Sequence, residues 1–124
     1  MNIYLAGPMR GYPRFNFPAF DFAAAKLRAE GHEVFSPAER DRTIHGTKLE
    51  NNATGDERLA EKDVGFSLRE ALAADTDYIA RFADTIALLP GWEKSSGANA
   101  ELALAKALGH TIIALGKDYV APTS

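Results

Sequence analysis

Short apolar runs alternate with amphipathic stretches along this chain. Asn2 to Ala6 (NIYLA) is apolar and rich in β-formers, and Gly7-Pro8 stops it. It predicts a first strand buried on both faces. Gly7 to Phe15 is a turn-rich loop with two glycines, two prolines and two arginines. Pro18 then stands where a first helical turn tolerates proline. Phe17, Phe20, Ala24, Leu27 and Arg28 recur at helical spacing up to Gly31, a good helix stop. His32 to Phe35 predicts a second strand, ended by Ser36-Pro37. Ala38 to Phe66 is polar and charged and has no clean period. A segment of about thirty such residues is long for a connection and suits a lid, an oligomer contact or disorder. Ser67-Leu68-Arg69-Glu70 is a capping-box pattern, opening a helix with Leu68, Leu72, Ile79 and Phe82 as its apolar face. Thr85 to Leu89 (TIALL) predicts the third strand. Pro90 to Gly97 is a loop, Ala98 to Leu108 an alanine-rich helix stopped by Gly109, and Thr111 to Leu115 (TIIAL) the fourth strand.

This order predicts a three-layer α/β fold. It would be a Rossmann-like or flavodoxin-like parallel sheet of four or five strands with helices on both faces. The 124 residues fit one domain, 1–124. In such sheets ligands bind beyond the carboxyl ends of the strands, near the point where strand order reverses. The loops Gly7–Phe15 and Pro90–Gly97 and the segment Ala38–Phe66 should therefore meet at one edge.

Composition narrows the chemistry. Without cysteine, disulfides, thiolate zinc sites and cysteine nucleophiles are excluded. Their absence fits a reducing cytosol, and a cytoplasmic location is expected. With 14 basic and 17 acidic residues, net charge −3, no general nucleic-acid-coating surface is expected. No apolar run approaches a membrane span, and the first residues read as a strand, not a signal peptide. His32, His45 and His110 lack metal-ligand spacing, so neither a metal nor a cofactor is expected.

Two loops carry candidate chemistry. Ser95, Ser96 and Gly97 precede a helix whose exposed N–H groups favour an anion such as phosphate. Glu101 lies about one turn further on and can face the same cleft. The plainer reading is that Ser95 or Ser96 caps the helix and Glu101 favours its dipole. Gly7-Pro8-Met9-Arg10-Gly11 directly follows a buried strand, and Arg10 or Arg14 could bind phosphate. It is neither a P-loop nor a dinucleotide fingerprint, and alone it is a plain turn. Tyr4 suits a core position, with a hydroxyl that needs a partner. Asp75 and Asp77 suit an exposed acidic face, and Asp84 a helix end or turn. Trp92 suits a stack on a base or a cover over the core.

Together these residues resemble the nucleoside 2-deoxyribosyltransferase superfamily. The matches are Ile3-Tyr4-Leu5-Ala6-Gly7-Pro8 and Ala83-Asp84-Thr85-Ile86-Ala87-Leu88-Leu89 running into Ser95-x-Gly97-x-x-x-Glu101-Leu102-x-x-Ala105. The chain is most similar to a subfamily of small phage and bacterial proteins of unassigned function, through Phe15-Asn16-Phe17-Pro18-Ala19-Phe20, Gly31-His32-Glu33-Val34-Phe35 and Leu89-Pro90-Gly91-Trp92. The resemblance implies that a glutamate attacks C1′ of the sugar, expels the base and forms a glycosyl-enzyme ester. Glu101 matches that nucleophile, and Tyr4 a tyrosine that orients it. Asp75, with Asp77 as rival, matches an aspartate that handles the leaving base. Six residues before the nucleophile, members acting on free nucleosides carry aspartate, and those hydrolysing nucleoside 5′-monophosphates carry serine. Ser95 stands there. The resemblance thus implies a nucleoside 5′-monophosphate N-glycosidase, with Arg10 and Ser95–Gly97 on the phosphate, and a homodimer or higher homo-oligomer. The rival expectations are a deoxyribosyltransferase, a non-catalytic nucleotide-binding module and a structural subunit. For the glycosidase, the transferase and the binding module the partner is a small nucleotide or nucleoside.

Overall fold

A computed structural model describes residues 1–45 and 68–120. Strand β1 (Asn2–Ala6) leads through a 3-10 turn (Pro13–Asn16) into helix α1 (Phe17–Ala29) and strand β2 (Glu33–Phe35). Helix α2 (Pro37–His45) follows, then helix α3 (Leu68–Arg81), strand β3 (Thr85–Leu88), helix α4 (Ser96–Ala107) and strand β4 (Thr111–Ala114).

The four strands form one parallel sheet in the order β2-β1-β3-β4. Tyr4 is in register with Phe35 on one side and Ile86 on the other, and Ile86 with Ile112. The sheet therefore grows from β1 in both directions. Right-handed crossovers in opposite directions put their helices on opposite faces. Ile3, Leu5, Ala87 and Leu89 accordingly pack with Phe17, Phe20, Ala24 and Leu27 of α1. Tyr4, Ala6, Ile86 and Leu88 pack with Ile79 of α3 and Ala98, Leu102 and Ala105 of α4. This is the expected three-layer α/β arrangement with four strands. No helix among the described residues is long and apolar enough to cross a membrane.

Two expectations are corrected in detail. The aperiodic segment begins with a helix, α2, whose inward positions are Ala38 and Asp41. A helix with a charged group on its buried face shows no apolar stripe. The remainder of that segment, and the capping residue Ser67, lie outside the described residues. The buried stripe of α3 is Ala71, Asp75 and Ile79, one step round from the expected one. Phe82 falls beyond the helix end and is exposed. Strand β4 forms one edge of the sheet, with Ile112 facing solvent.

Candidate active site

The strand order reverses between β1 and β3, and a cavity of about 240 Å³ opens beyond their carboxyl ends. Tyr4 of β1, Asp75 of α3 and Glu101 of α4 line it together. The pleat of β1 turns Tyr4 toward the face that α3 and α4 cover, and there it is fully buried. Glu101, on the second turn of α4, is buried among the same side chains. The Tyr4 hydroxyl donates a 2.6 Å hydrogen bond to Glu101 Oε2. Asp75 is also buried, whereas Asp77 pairs with Arg81 on the surface at 2.6 Å. Of the two aspartates, only Asp75 lines the cavity.

Helix α2 adds two residues that the sequence pattern did not single out. Arg40 Nη2 lies 2.5 Å from Asp41 Oδ1, and Arg40 Nε lies 3.3 Å from Asp75 Oδ1. One guanidinium thus serves two buried carboxylates on the cavity wall. The adjacent charges Glu39-Arg40-Asp41-Arg42 look like a solvated run in sequence. Glu39 and Arg42 do turn outward, to Arg28 and Asp21. Only packing separates the two pairs.

Burial dominates the electrostatics. It pushes Glu101 up to about 8; the Tyr4 hydrogen bond opposes it, nearby Asp75 adds to it and Arg40 opposes it. Burial likewise lifts Asp75 to about 6 against Arg40 and Tyr4. It lifts Asp41 to about 7, against Arg40 and with Asp75. Burial and the neighbouring carboxylates hold the Tyr4 hydroxyl protonated, well above its ordinary range. Three carboxyls with one guanidinium therefore exchange protons around neutrality. Asp75 ionises before Glu101, so a Glu101 carboxylate beside a protonated Asp75 forms by passing one proton from Glu101 to Asp75.

The rim is made by the two loops. The Ser95 side chain accepts from the Ala98 N–H at 3.2 Å, so it caps α4 and also lines the cavity. Its own O–H remains a donor. Ser96 and Gly97 line the cavity as well. A Cβ built on Gly97 meets nothing within 4 Å, so this turn faces open space. Gly7 is glycine for another reason: its Cβ would stand 2.7 Å from Leu89 Cβ, where the ends of β1 and β3 converge. Pro8, Met9 and Arg10 complete that rim, joined by Tyr12 and Lys94. The first loop is held by the Asn16 side chain, which donates to the Pro8 carbonyl at 2.9 Å. Arg14, Phe15 and Asn16 form a left-handed turn there, with φ of 57°, 51° and 62°.

Trp92 does not line the cavity; it is half-buried against the core cluster around Tyr4 and Ala98. Its covering role is the one observed. Asp84 accepts from Asn2 N–H at 3.1 Å and from Thr85 Oγ1 at 2.7 Å, tying the start of β3 to that of β1. His110 Nε2 lies 2.8 Å from the Ile79 carbonyl oxygen, a structural contact. Among the described residues no group of three or more His, Cys, Asp or Glu could hold a metal ion.

The molecule is thus a doubly wound parallel α/β domain with a tyrosine-carboxyl site in the crevice between its two central strands. The chain belongs to the family described as Domain of unknown function (DUF4406), whose model matches residues 1–114 and so spans the whole site. No curated protein matches the chain.

Proposed function

We propose that this protein is a nucleoside 5′-monophosphate N-glycosidase, with Glu101 as nucleophile. The observation that carries the reading is the buried Tyr4–Glu101 hydrogen bond, set in a cavity rimmed by the N-terminus of α4. Tyr4 directs one oxygen of Glu101 and favours its ionised form, opposing burial. Ser95, Ser96 and the first N–H groups of α4 suit a phosphate, with Arg10 and Lys94 as further cations on the rim. A phosphate held there leaves the sugar next to Glu101.

The reaction proceeds in two displacements. A Glu101 carboxylate oxygen bonds to C1′ as the C1′–N bond breaks, and that electron pair leaves with the base. Asp75, having taken the proton that Glu101 gives up, passes it to the base nitrogen. Water then attacks C1′ of the glycosyl ester and gives a proton to Asp75. The C1′–Glu101 bond breaks, which restores both carboxyl groups. The products are free base and a sugar 5-phosphate.

The test is incubation of wild type and Glu101→Gln with ribo- and deoxyribonucleoside 5′-monophosphates, following free base by chromatography. Wild type should release base, and the variant should be slower by about 10³-fold or more. Adding a second free base distinguishes hydrolysis from transfer. A clear preference for the nucleoside over its monophosphate would remove the phosphate assignment. No release from any nucleotide, with or without acceptor base, would leave a binding module instead.

A further inference from the structure

The wall formed by α2 is unfinished. Arg40 Nε and Nη2, Asp41 Oδ1 and Asp75 Oδ1 are all buried and have no hydrogen-bond partner of acceptable geometry among the described residues. Their ion-pair distances are short, but the donors and acceptors are not aligned on one another. Asp41 and Asp75 are only 4% and 6% exposed. Buried polar atoms in folded proteins are nearly always paired, and leaving one unpaired is costly. Two donors and two acceptors on one cavity wall, ion-paired but without aligned hydrogen bonds, suit a ligand that carries the complementary groups.

The topology says which part of a nucleotide would reach them. Strands β2 and β3 lie on either side of β1. Helix α2 follows β2, and the rim Lys94–Gly97 follows β3. The two walls therefore flank Tyr4 from opposite sides. With phosphate at the start of α4 and C1′ at Glu101, the base extends toward Arg40 and Asp41.

We infer that Arg40, Asp41 and Asp75 read the base, and that the base is of the amino-oxo type, guanine or cytosine. This rests on the nucleotide reading of the site. A guanidinium donates to a ring carbonyl and a neighbouring ring nitrogen, and a carboxylate accepts from an exocyclic amino group. Guanine and cytosine offer both kinds of group. Uracil, thymine and hypoxanthine lack the amino group, and adenine lacks the carbonyl. Asp41 and Arg40 are then specificity-determining residues that contact the leaving group.

The experiment uses the full chain with Glu101→Gln, so that binding is measured without turnover. Calorimetry with the 5′-monophosphates of guanine, cytosine, hypoxanthine and uracil should show guanine, cytosine or both bound at least tenfold more tightly than the other two. The guanine and cytosine arms separate the two candidates. Adding Asp41→Asn should abolish that preference by weakening the guanine or cytosine nucleotide at least tenfold more than the hypoxanthine and uracil nucleotides. Equal affinity across the panel, or uniform weakening by Asp41→Asn, would overturn the inference. If Asp41→Asn does not fold, the panel with Asp41 intact still decides. Wild-type turnover separates this inference from the reading beneath it. Base release from all four nucleotides alike sinks the base-reading role and keeps the glycosidase. Selective binding of an amino-oxo nucleotide without release keeps the base-reading role and sinks the glycosidase. No binding of any nucleotide overturns both.

Discussion

The two faces of β1 are built from alternate residues of one short strand, yet they serve opposite ends. Ile3 and Leu5 face α1 among Phe17, Phe20, Ala24 and Leu27, a purely apolar contact. Tyr4 and Ala6 face α3 and α4, where the apolar stripe is interrupted by Asp75 and Glu101. The first face removes hydrocarbon from water and stabilises the fold. The second takes carboxyl groups out of water, which costs stability and shifts their protonation. A strand that alternates side chains by 180° lets one element do both without a compromise at any single position.

Four substitutions or conditions test this contrast. On the apolar face, Leu5→Ala should cost about 3 kcal/mol in chemical denaturation, with base release per folded molecule essentially unchanged. A comparable loss of activity would mean that the two faces are not separable. On the polar face, Tyr4→Phe should slow base release by about 10- to 100-fold, with stability lowered by about 1–2 kcal/mol because Glu101 loses its buried donor. The reverse pattern, an unstable but fully active Tyr4→Phe, would make the hydroxyl structural.

The third test is pH. In the folded chain Asp75, Asp41 and Glu101 sit at about 6, 7 and 8, above their ordinary values of 3.8, 3.8 and 4.5. The folded state therefore binds more protons than the unfolded state between about pH 4 and 8. Their contribution is fully present below the ordinary values and is lost as pH rises through the raised ones. Stability should decline from pH 5 to pH 8.5. Glu101→Gln should flatten that decline, gaining about 1–2 kcal/mol at the alkaline end. Thermal melts of both proteins across the range would show it, and parallel curves would contradict it. The smallest effect belongs to the exposed Asp77–Arg81 pair. Asp77→Asn should change stability by less than about 0.5 kcal/mol and leave base release intact. A tenfold loss would return Asp77 as the rival of Asp75.

Much of the fold is legible because its strands are short β-rich runs with glycine or proline beside them. Asn2–Ala6 and Thr85–Leu88 stand almost where the pattern puts them. Helix α1 also buries the expected Phe17, Phe20, Ala24 and Leu27. The pattern fails where charge is buried. Helix α2 is hidden because its inward side chains include Asp41, and α3 is misphased because Asp75 occupies its central inward position. The same cause limits the site. Tyr4, Glu101 and Ser95–Gly97 belong to motifs, so they can be picked out in the sequence. Arg40 and Asp41 sit between outward-facing Glu39 and Arg42, and one-dimensional spacing does not reveal which charges turn inward.

The left-handed turn at Arg14–Asn16 has a consequence for how tightly the cavity can hold its occupant. Three successive non-glycine residues with positive φ each raise the energy of the chain by about 1 kcal/mol. The turn persists because Phe15 is buried, its N–H reaches the Tyr12 carbonyl at 2.9 Å, and Asn16 holds Pro8. The loop bearing Met9 and Arg10 is thereby tied down by the chain's own contacts. Preorganisation of this kind spares an incoming molecule the entropy of fixing the loop, so more of its interaction energy remains as affinity or as catalysis.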